Sequence, residues 1–343
     1  MQLTDRKKKI LSCIVSEFIL GGEPVGSKAI AQEIGVSSAT VRNEMAELIE
    51  MGLLDQPHTS AGRVPSQRGY REYVNQLPAA QTLSDEEKKF FDSVLLNEAA
   101  DMERLLKGAG KALALYTKGV SIISASGGKS AKIRAVQFVQ IARRTAMLIL
   151  MSSAGTIKNE IFHCDFDLTA EITRVLFRAF NEKLSGVPIS EITIPFIQTL
   201  AASMQELSIL TGSAMVALLK AAQKTAKSEV FIDGQMNLLF YPDFEQGEIK
   251  AIIDFLQHEE ALSAILLQND LEGVKVSIGY EIGHRALNEV SLIQSLYKVN
   301  GYDVGVIAVL GPVRMNYPKL IAAVDYTSEQ VTQLLNMLTF SDL

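Results

Sequence analysis

The sequence has few of the features that identify membrane proteins or disulfide-rich secreted proteins. Its only two cysteines, Cys13 and Cys164, are far apart and lack a metal-binding spacing, which fits a reducing compartment and a structural role. No apolar run approaches the ~20 residues that a membrane helix needs. The N-terminus, up to Leu11, is charged and then amphipathic, so we predict no export signal and a cytoplasmic protein.

An excess of positive charge, which many DNA-binding proteins have, is also missing. The net charge is −6, but residues 1–77 hold nine basic and nine acidic side chains, so the acidity lies in the rest of the chain. Within this N-terminal part the basic residues cluster at 6–9 and 63–71. A locally positive face is therefore expected, whereas strong nonspecific binding to nucleic acid is not.

Two fragments resemble enzyme motifs but lack what those motifs need. Residues 127–130 imitate the end of a phosphate-binding loop, but the earlier glycine of that loop is replaced by Ile123. His163, Cys164 and Asp165 are consecutive residues of a predicted strand, so their side chains point alternately and do not converge. We predict no catalytic residues, no metal site and no cofactor, and hence a protein that is not an enzyme.

Residues 27–43 have the spacing of a DNA-binding helix-turn-helix. Ala31 lies where a large side chain would keep two helices apart, Gly35 follows four residues later in the turn, and Val41 lies six residues beyond on the second helix. Small helical bundles also contain helix pairs with a glycine turn. The spacing alone therefore leaves both interpretations open.

The second helix of this pair is predicted to have one apolar and one polar face. Its apolar stripe consists of Val41, Met45, Leu48 and Ile49. The polar side chains that face away from this stripe, near the helix N-terminus, are those of Ser38, Thr40, Arg42 and Asn43. Such side chains read base edges and hold phosphates, so these four are our candidates for DNA contacts.

The flanking segments complete the pattern of a winged helix. Residues 4–20 predict a first helix, and residues 53–66 predict a hairpin whose tip runs from His58 to Arg63. An arginine in such a wing is suited to a phosphate or minor-groove contact, although a solvated loop arginine is the alternative. The further DNA-contact candidates are His58, Thr59, Ser60, Arg63, Arg68 and Arg71.

Three segments resemble the HrcA family of heat-inducible transcription repressors: GEPVGSKAIAQ, VSSATVRNEMAELIEMGLLDQPHTSAGRVPSQRGYREYV and, far downstream, VIAVLGPVRMNY. The resemblance implies a repressor of chaperone operons that binds a palindromic operator, the CIRCE element, as a homodimer. It also implies a winged-helix domain, a GAF-like domain, an inserted dimerising domain, and modulation by the chaperonin GroEL.

The remaining pattern predicts an α+β multidomain protein. After a winged helix-turn-helix domain at 1–77, we expect a GAF-like α/β domain with a linker helix at 78–190 and 270–343. A mainly helical dimerisation domain with a small sheet is expected as an insert at 191–269, because its Leu- and Met-rich helices have much apolar surface. An ordinary intramolecular core would also explain such helices.

Together these features predict a cytoplasmic, homodimeric repressor of heat-shock operons that binds double-stranded DNA and no membrane. Arg42 is expected to contact guanine and Asn43 adenine, and two-fold symmetry requires an inverted-repeat operator. The alternatives are a metabolite-sensing winged-helix transcription regulator, with the GAF-like domain as receptor, and an enzyme or interaction module that carries a vestigial winged helix.

Overall fold

The computed structural model describes residues 3–58, 62–78, 82–125, 131–153, 156–204, 208–226, 229–266, 273–299 and 301–340. The described residues form twelve α-helices and ten β-strands, which are arranged in three sheets. Within these ranges no helix has both the length and the apolar character needed to cross a membrane.

The N-terminal elements form the predicted winged helix. They are α1 (Asp5–Gly21), α2 (Ser27–Ile34), α3 (Ser38–Glu50), β1 (Leu54–Asp55), β2 (Val64–Pro65) and α4 (Gln67–Asn75). Helix α1 begins where the Thr4 hydroxyl accepts a hydrogen bond from the Lys7 amide, and ends at Gly22, whose φ of 74° few other residues adopt. Its apolar stripe, which includes Ile10 and Ile14, is fully buried against α2, α3 and α4.

The rest of the chain contains eight helices and eight strands in its described residues. They are α5 (Asp85–Glu98), α6 (Met102–Thr117), β3 (Val120–Ala125), β4 (Ile133–Ala142), β5 (Thr145–Ser152), β6 (Ile157–His163), α7 (Ala170–Leu184), α8 (Ile194–Ser203), α9 (Ser208–Ala226), β7 (Glu229–Asp233), α10 (Gln246–Leu256), α11 (Glu259–Leu266), β8 (Lys275–Ile278), β9 (Val290–Val299), β10 (Tyr302–Pro312) and α12 (Tyr317–Phe340).

A five-stranded antiparallel sheet, in the order β7-β3-β10-β9-β8, forms the centre of what we call the body. Helices cover both faces of this sheet. Ile122 and Val306 pack in the cluster that contains α10 and α11, whereas Ile123 and Ile307 pack in the cluster that contains α6 and α12. The central strands are therefore buried on both faces, which explains why their sequences are apolar almost without alternation.

A second sheet, in the order β4-β5-β6, belongs to a unit that we call the inserted module, residues 131–226. Helix α7 packs on β4, where the Asn181 side-chain amide donates to the Val136 carbonyl at 2.7 Å and accepts from its N–H at 2.9 Å. Helix α9 packs on β5 and β6. The module follows β3 and precedes β7, and these two strands are hydrogen-bonded neighbours in the body.

This topology differs from the domain division that we predicted. Strands at 133–163, which we placed with the GAF-like domain, form the sheet of the inserted module, and β7, α10 and α11, which we placed in the insert at 191–269, belong to the body. Alternating hydrophobicity marks a strand but does not identify its partner. Ser121 of β3 pairs with Asp233 of β7, so the strands before and after the inserted module are neighbours in one sheet. The sequence pattern could not predict this pairing.

Candidate nucleic-acid interface

The turn between α2 and α3 has the geometry that its sequence predicts. Gly35 has a φ of +77°, and its N–H donates to the Ala31 carbonyl at 3.0 Å. A Cβ at Gly35 would have no neighbouring atom within 4 Å, so the backbone conformation rather than space requires glycine there. Ala31 is 9% exposed where the two helices approach each other.

The N-termini of α2 and α3 lie side by side. The Ser37 hydroxyl accepts a hydrogen bond from the Thr40 amide at 3.0 Å and so caps α3, and the Ser27 and Ser38 hydroxyl oxygens are 3.0 Å apart. Amide groups and helix dipoles therefore present partial positive charge at one common surface. Lys28, an exposed residue of the first turn of α2, adds a full positive charge near it.

Helix α3 turns its polar side outward. Val41, Met45 and Leu48 are buried, whereas Arg42 and Asn43 are exposed. Ser38 and Thr40 are half-buried, and the Thr40 hydroxyl is 2.8 Å from the Ser37 hydroxyl, so both threonine and serine take part in the helix cap. The first turns of α3 thus present the Arg42 guanidinium, a bidentate donor, and the Asn43 amide to solvent.

One basic residue of the N-terminal cluster has a structural role that the sequence did not indicate. The Lys7 ammonium group lies 2.9 Å from the Glu44 carboxylate and 2.8 Å from that of Glu47, so it joins α1 to α3. The hydrogen bonds that Lys7 donates to Glu47 and Glu44 raise its pKa. Lys7 therefore holds α3 against α1 and contributes little charge to the outer surface.

The wing is held to the helices by backbone contacts. Val25 and Arg63 exchange hydrogen bonds of 2.9 and 2.8 Å, a single β-bridge that ties the segment before α2 to the hairpin of β1 and β2. At Gly62 a Cβ would lie 2.5 Å from the carbonyl oxygens of both Pro24 and Val25. His58 is exposed and Arg63 is half-buried. The other two wing candidates, at positions 59 and 60, lie outside the described residues.

Helix α4 brings its two arginines to different environments. Arg68 is exposed, beside Gly52 at the end of α3. Arg71 instead turns to the body, where its guanidinium pairs with the Glu281 carboxylate and donates to the Val276 carbonyl at 2.7 Å. In this conformation Arg71 therefore holds the winged helix to the body.

Both parts of the chain match family models. Residues 2–78 match the winged helix-turn-helix transcription repressor domain described as HrcA DNA-binding, and residues 103–321 match the HrcA protein C-terminal domain. The chain belongs to the HrcA family.

Proteins named heat-inducible transcription repressor HrcA resemble this HrcA-family chain over its whole length. The protein of Acetivibrio thermocellus is 34% identical over 100% of this chain and 99% of its own. That of Pelotomaculum thermopropionicum is 33% identical, over 98% and 97%. A crystal structure of a hypothetical protein shares the fold, with a TM-score of 0.66 and 24% identity over 98% of this chain and 99% of its own.

The residues that imitate catalytic groups do not come together in this HrcA-family chain. Cys164 is 5% exposed, and burial raises the pKa of its thiol, whereas His163 and Asp165 are exposed. Among the described residues no three of the His, Cys, Asp and Glu side chains are grouped as metal ligands. Residues 127–130 lie outside the described ranges.

Proposed function

We propose that this chain is a homodimeric repressor of chaperone operons that binds an inverted-repeat operator of the CIRCE type. The observation that carries this proposal is the exposed pair Arg42 and Asn43 on the capped N-terminal half of α3, within a domain that matches the HrcA DNA-binding model. A repressor of this kind acts where the chromosome is, in the cytoplasm.

The contacts divide into base reading and positioning. Arg42 donates to guanine and Asn43 pairs with adenine in the major groove, and each good bidentate contact contributes ~1–3 kcal/mol of discrimination. Positioning on phosphates falls to the remaining candidates, which are Ser38, Thr40, His58, Thr59, Ser60, Arg63 and Arg68. Arg71 instead contacts the body, because its Nε and Nη2 donors are already engaged there.

The inserted module supplies the surface for dimerisation. One face of its sheet packs against α7 and α9, and the other carries apolar side chains that the described residues leave exposed. Val139 and Ile161 flank Met147 across the strands, and Ile157 lies beside Met151. Val139 is 42% exposed, Ile161 59% and Ile157 61%. An antiparallel sheet with one apolar, uncovered face is suited to pairing with its copy.

The size of this face suits the core of a larger interface. From strand spacing and rise, the sheet face covers roughly 300 Å². A stable dimer buries about 800 Å² on each partner, with an apolar core and a polar rim. The sheet face therefore provides the core, and the surrounding parts of the module provide the rim.

A charge on the sheet face tests this assignment. Ile161→Asp should convert the dimer to a monomer in analytical ultracentrifugation, because dimerisation would bury an unpaired carboxylate. Val216→Asp is the matched control, since Val216 is also exposed (53%) but lies on α9, on the helical side of the module. A dimer that persists in the first variant would exclude this face from the interface.

Relief by heat and modulation by GroEL follow from the family resemblance. A marginally stable dimer would lose most of its active fraction on warming, because ~2 kcal/mol changes an equilibrium about thirtyfold. GroEL would return inactive repressor to the active form and would be unavailable when unfolded clients occupy it. Gel filtration and operator binding across temperature test the thermal part, which fails if both persist well above the growth range.

A salt-titrated gel shift tests the proposal as a whole. It compares an inverted repeat from a chaperone promoter with a scrambled duplex of equal composition. Wild type should prefer the repeat, and Arg42→Ala should lose about 10- to 100-fold of that preference. Arg285→Ala, which removes an exposed arginine of the body, should keep it. Equal, salt-sensitive binding to both duplexes by wild type would refute sequence-specific repression.

A further inference from the structure

The winged helix is attached to the body by side chains that fit backbone sites. On α4, the Gln67 amide donates to the Asn288 carbonyl at 2.7 Å and accepts from the Tyr280 N–H at 3.2 Å. Beneath this amide lies Gly279, whose φ is +53° and whose Cβ, if present, would be 1.9 Å from the Gln67 oxygen. Both the position and the direction of the Gln67 side chain are therefore fixed by the body.

An ion pair one helical turn further on strengthens this attachment. The Arg71 guanidinium pairs with Glu281, whose carboxylate also accepts the Ile278 N–H at 2.9 Å. Burial alone would raise the pKa of Glu281, but the bonds from Arg71 and Ile278 outweigh it and lower that pKa. The carboxylate is therefore ionised at neutral pH. The Ile278 N–H holds it in place independently of Arg71.

A second attachment holds the other end of the domain. The Arg314 guanidinium donates to the Asp243 carboxylate at 2.7 Å. It also donates to the Ile19 carbonyl, in the last turn of α1, at 3.2 Å. Its guanidinium also lies over the Phe18 ring, 5.9 Å from the centroid. A cation at exposed C-terminal carbonyls is favourable for the helix dipole. Because α1 and α4 are held separately, the domain is restrained against rotation about either contact.

These attachments involve α1 and α4, and they leave Arg42 and Asn43 of α3 exposed. We propose that Gln67, Arg71, Gly279, Glu281 and Arg314 form a positioning latch, which fixes the direction of each recognition helix relative to the body and so sets the half-site spacing that the dimer accepts. This inference rests on the proposed function, because spacing has meaning only for a dimer on an inverted repeat. B-DNA turns once in about 10.5 base pairs, so a change in spacer length also rotates one half-site relative to the other. A rigid dimer therefore discriminates between spacer lengths as well as between bases.

The test uses substitutions on the body, because these leave the winged-helix surface unchanged. In the double variant Glu281→Ala with Arg314→Ala, both attachments lose a partner. Operators with the natural spacer and with spacers changed by two and five base pairs are compared with a single half-site. Asp303→Ala is the matched control, since it removes an exposed ion pair with Lys298 on the same sheet.

Wild type and the control should prefer one spacer by at least about tenfold. The double variant should bind the operator with that spacer about tenfold more weakly and bind the other spacers within about threefold of it. Its affinity for the half-site should equal that of wild type, because the substitutions lower only the effective concentration of the second winged helix at its half-site. An unchanged spacer preference in a folded, dimeric double variant would overturn the latch. Failure of wild type to prefer any inverted repeat would instead refute the proposed function.

A structural readout covers the case in which affinity changes for another reason. Distances between spin labels on the two α3 helices of the dimer, measured by pulsed electron resonance, should form a narrow distribution in wild type and a broad one in the double variant. A distribution that stays narrow at the same distance would contradict the latch, whatever the gel shifts give. Circular dichroism and ultracentrifugation confirm that the variant is folded and dimeric before either result is interpreted.

Discussion

Gly69 is the position where a single methyl group should displace a helix of the DNA-binding domain. It is a buried residue in the first turn of α4, and a Cβ there would lie 2.1 Å from the Leu53 carbonyl oxygen. A carbon–oxygen contact needs about 3.3 Å, so Gly69→Ala must move α4 from the wing by roughly 1 Å. Alanine gains at most ~1 kcal/mol from helix propensity, whereas overpacking costs ~1–3 kcal/mol. We therefore expect a net loss of about 1–2 kcal/mol.

Native-state hydrogen exchange measures this loss locally, which suits a multidomain chain because it reports on α4 separately from the other units. Amides of residues 67–75 should exchange about 5–30 times faster in Gly69→Ala. Gly21→Ala is the matched control. It is also a helical glycine, but no atom lies within 4 Å of its Cβ position, so alanine should slow exchange at the end of α1 slightly. Equal or slower exchange of α4 in Gly69→Ala would refute the steric argument.

Two further substitutions test the wing and the body. Gly62→Ala places a Cβ 2.5 Å from two carbonyl oxygens, so it should shift the wing and weaken operator binding about tenfold, measured by gel shift, with little change in dimerisation. Glu87 accepts a hydrogen bond from the Tyr116 hydroxyl at 2.5 Å, which, with its cap at Ser84, lowers its pKa to about 2. Its ionised form therefore stabilises the fold above the ordinary pKa of 4.5, and this contribution is lost as pH falls towards 2. The difference in urea midpoint between wild type and Glu87→Gln should be full at pH 6 and shrink below pH 4.5; a difference independent of pH would contradict this.

The local structure of the DNA-binding domain could be predicted from sequence because its signals are short-range. Gly35 marks the turn, and the predicted apolar stripe of α3 includes the buried Val41, Met45 and Leu48. Capping, positive φ and periodicity each depend on residues within one or two turns of the chain.

The contacts between distant segments could not be predicted in this way. The sequence makes Arg71 a DNA-contact candidate, but its partner Glu281 lies 210 residues along the chain. Lys7 was counted in a basic cluster, although Glu44 and Glu47 of another helix hold it. In each case a charged side chain looks the same in sequence whether water or a distant carboxylate surrounds it.

The order of elements along the chain has a consequence for how the protein is made. The winged helix is contiguous and its contacts are local, so it can fold as soon as residues 3–78 leave the ribosome. The body cannot, because β3 must wait for β7 and for β10 near the end of the chain. A nascent or truncated chain would therefore carry a DNA-reading domain with neither latch partners nor a complete body. If the proposed function holds, such fragments should bind single half-sites weakly, and only the completed chain should bind a full operator.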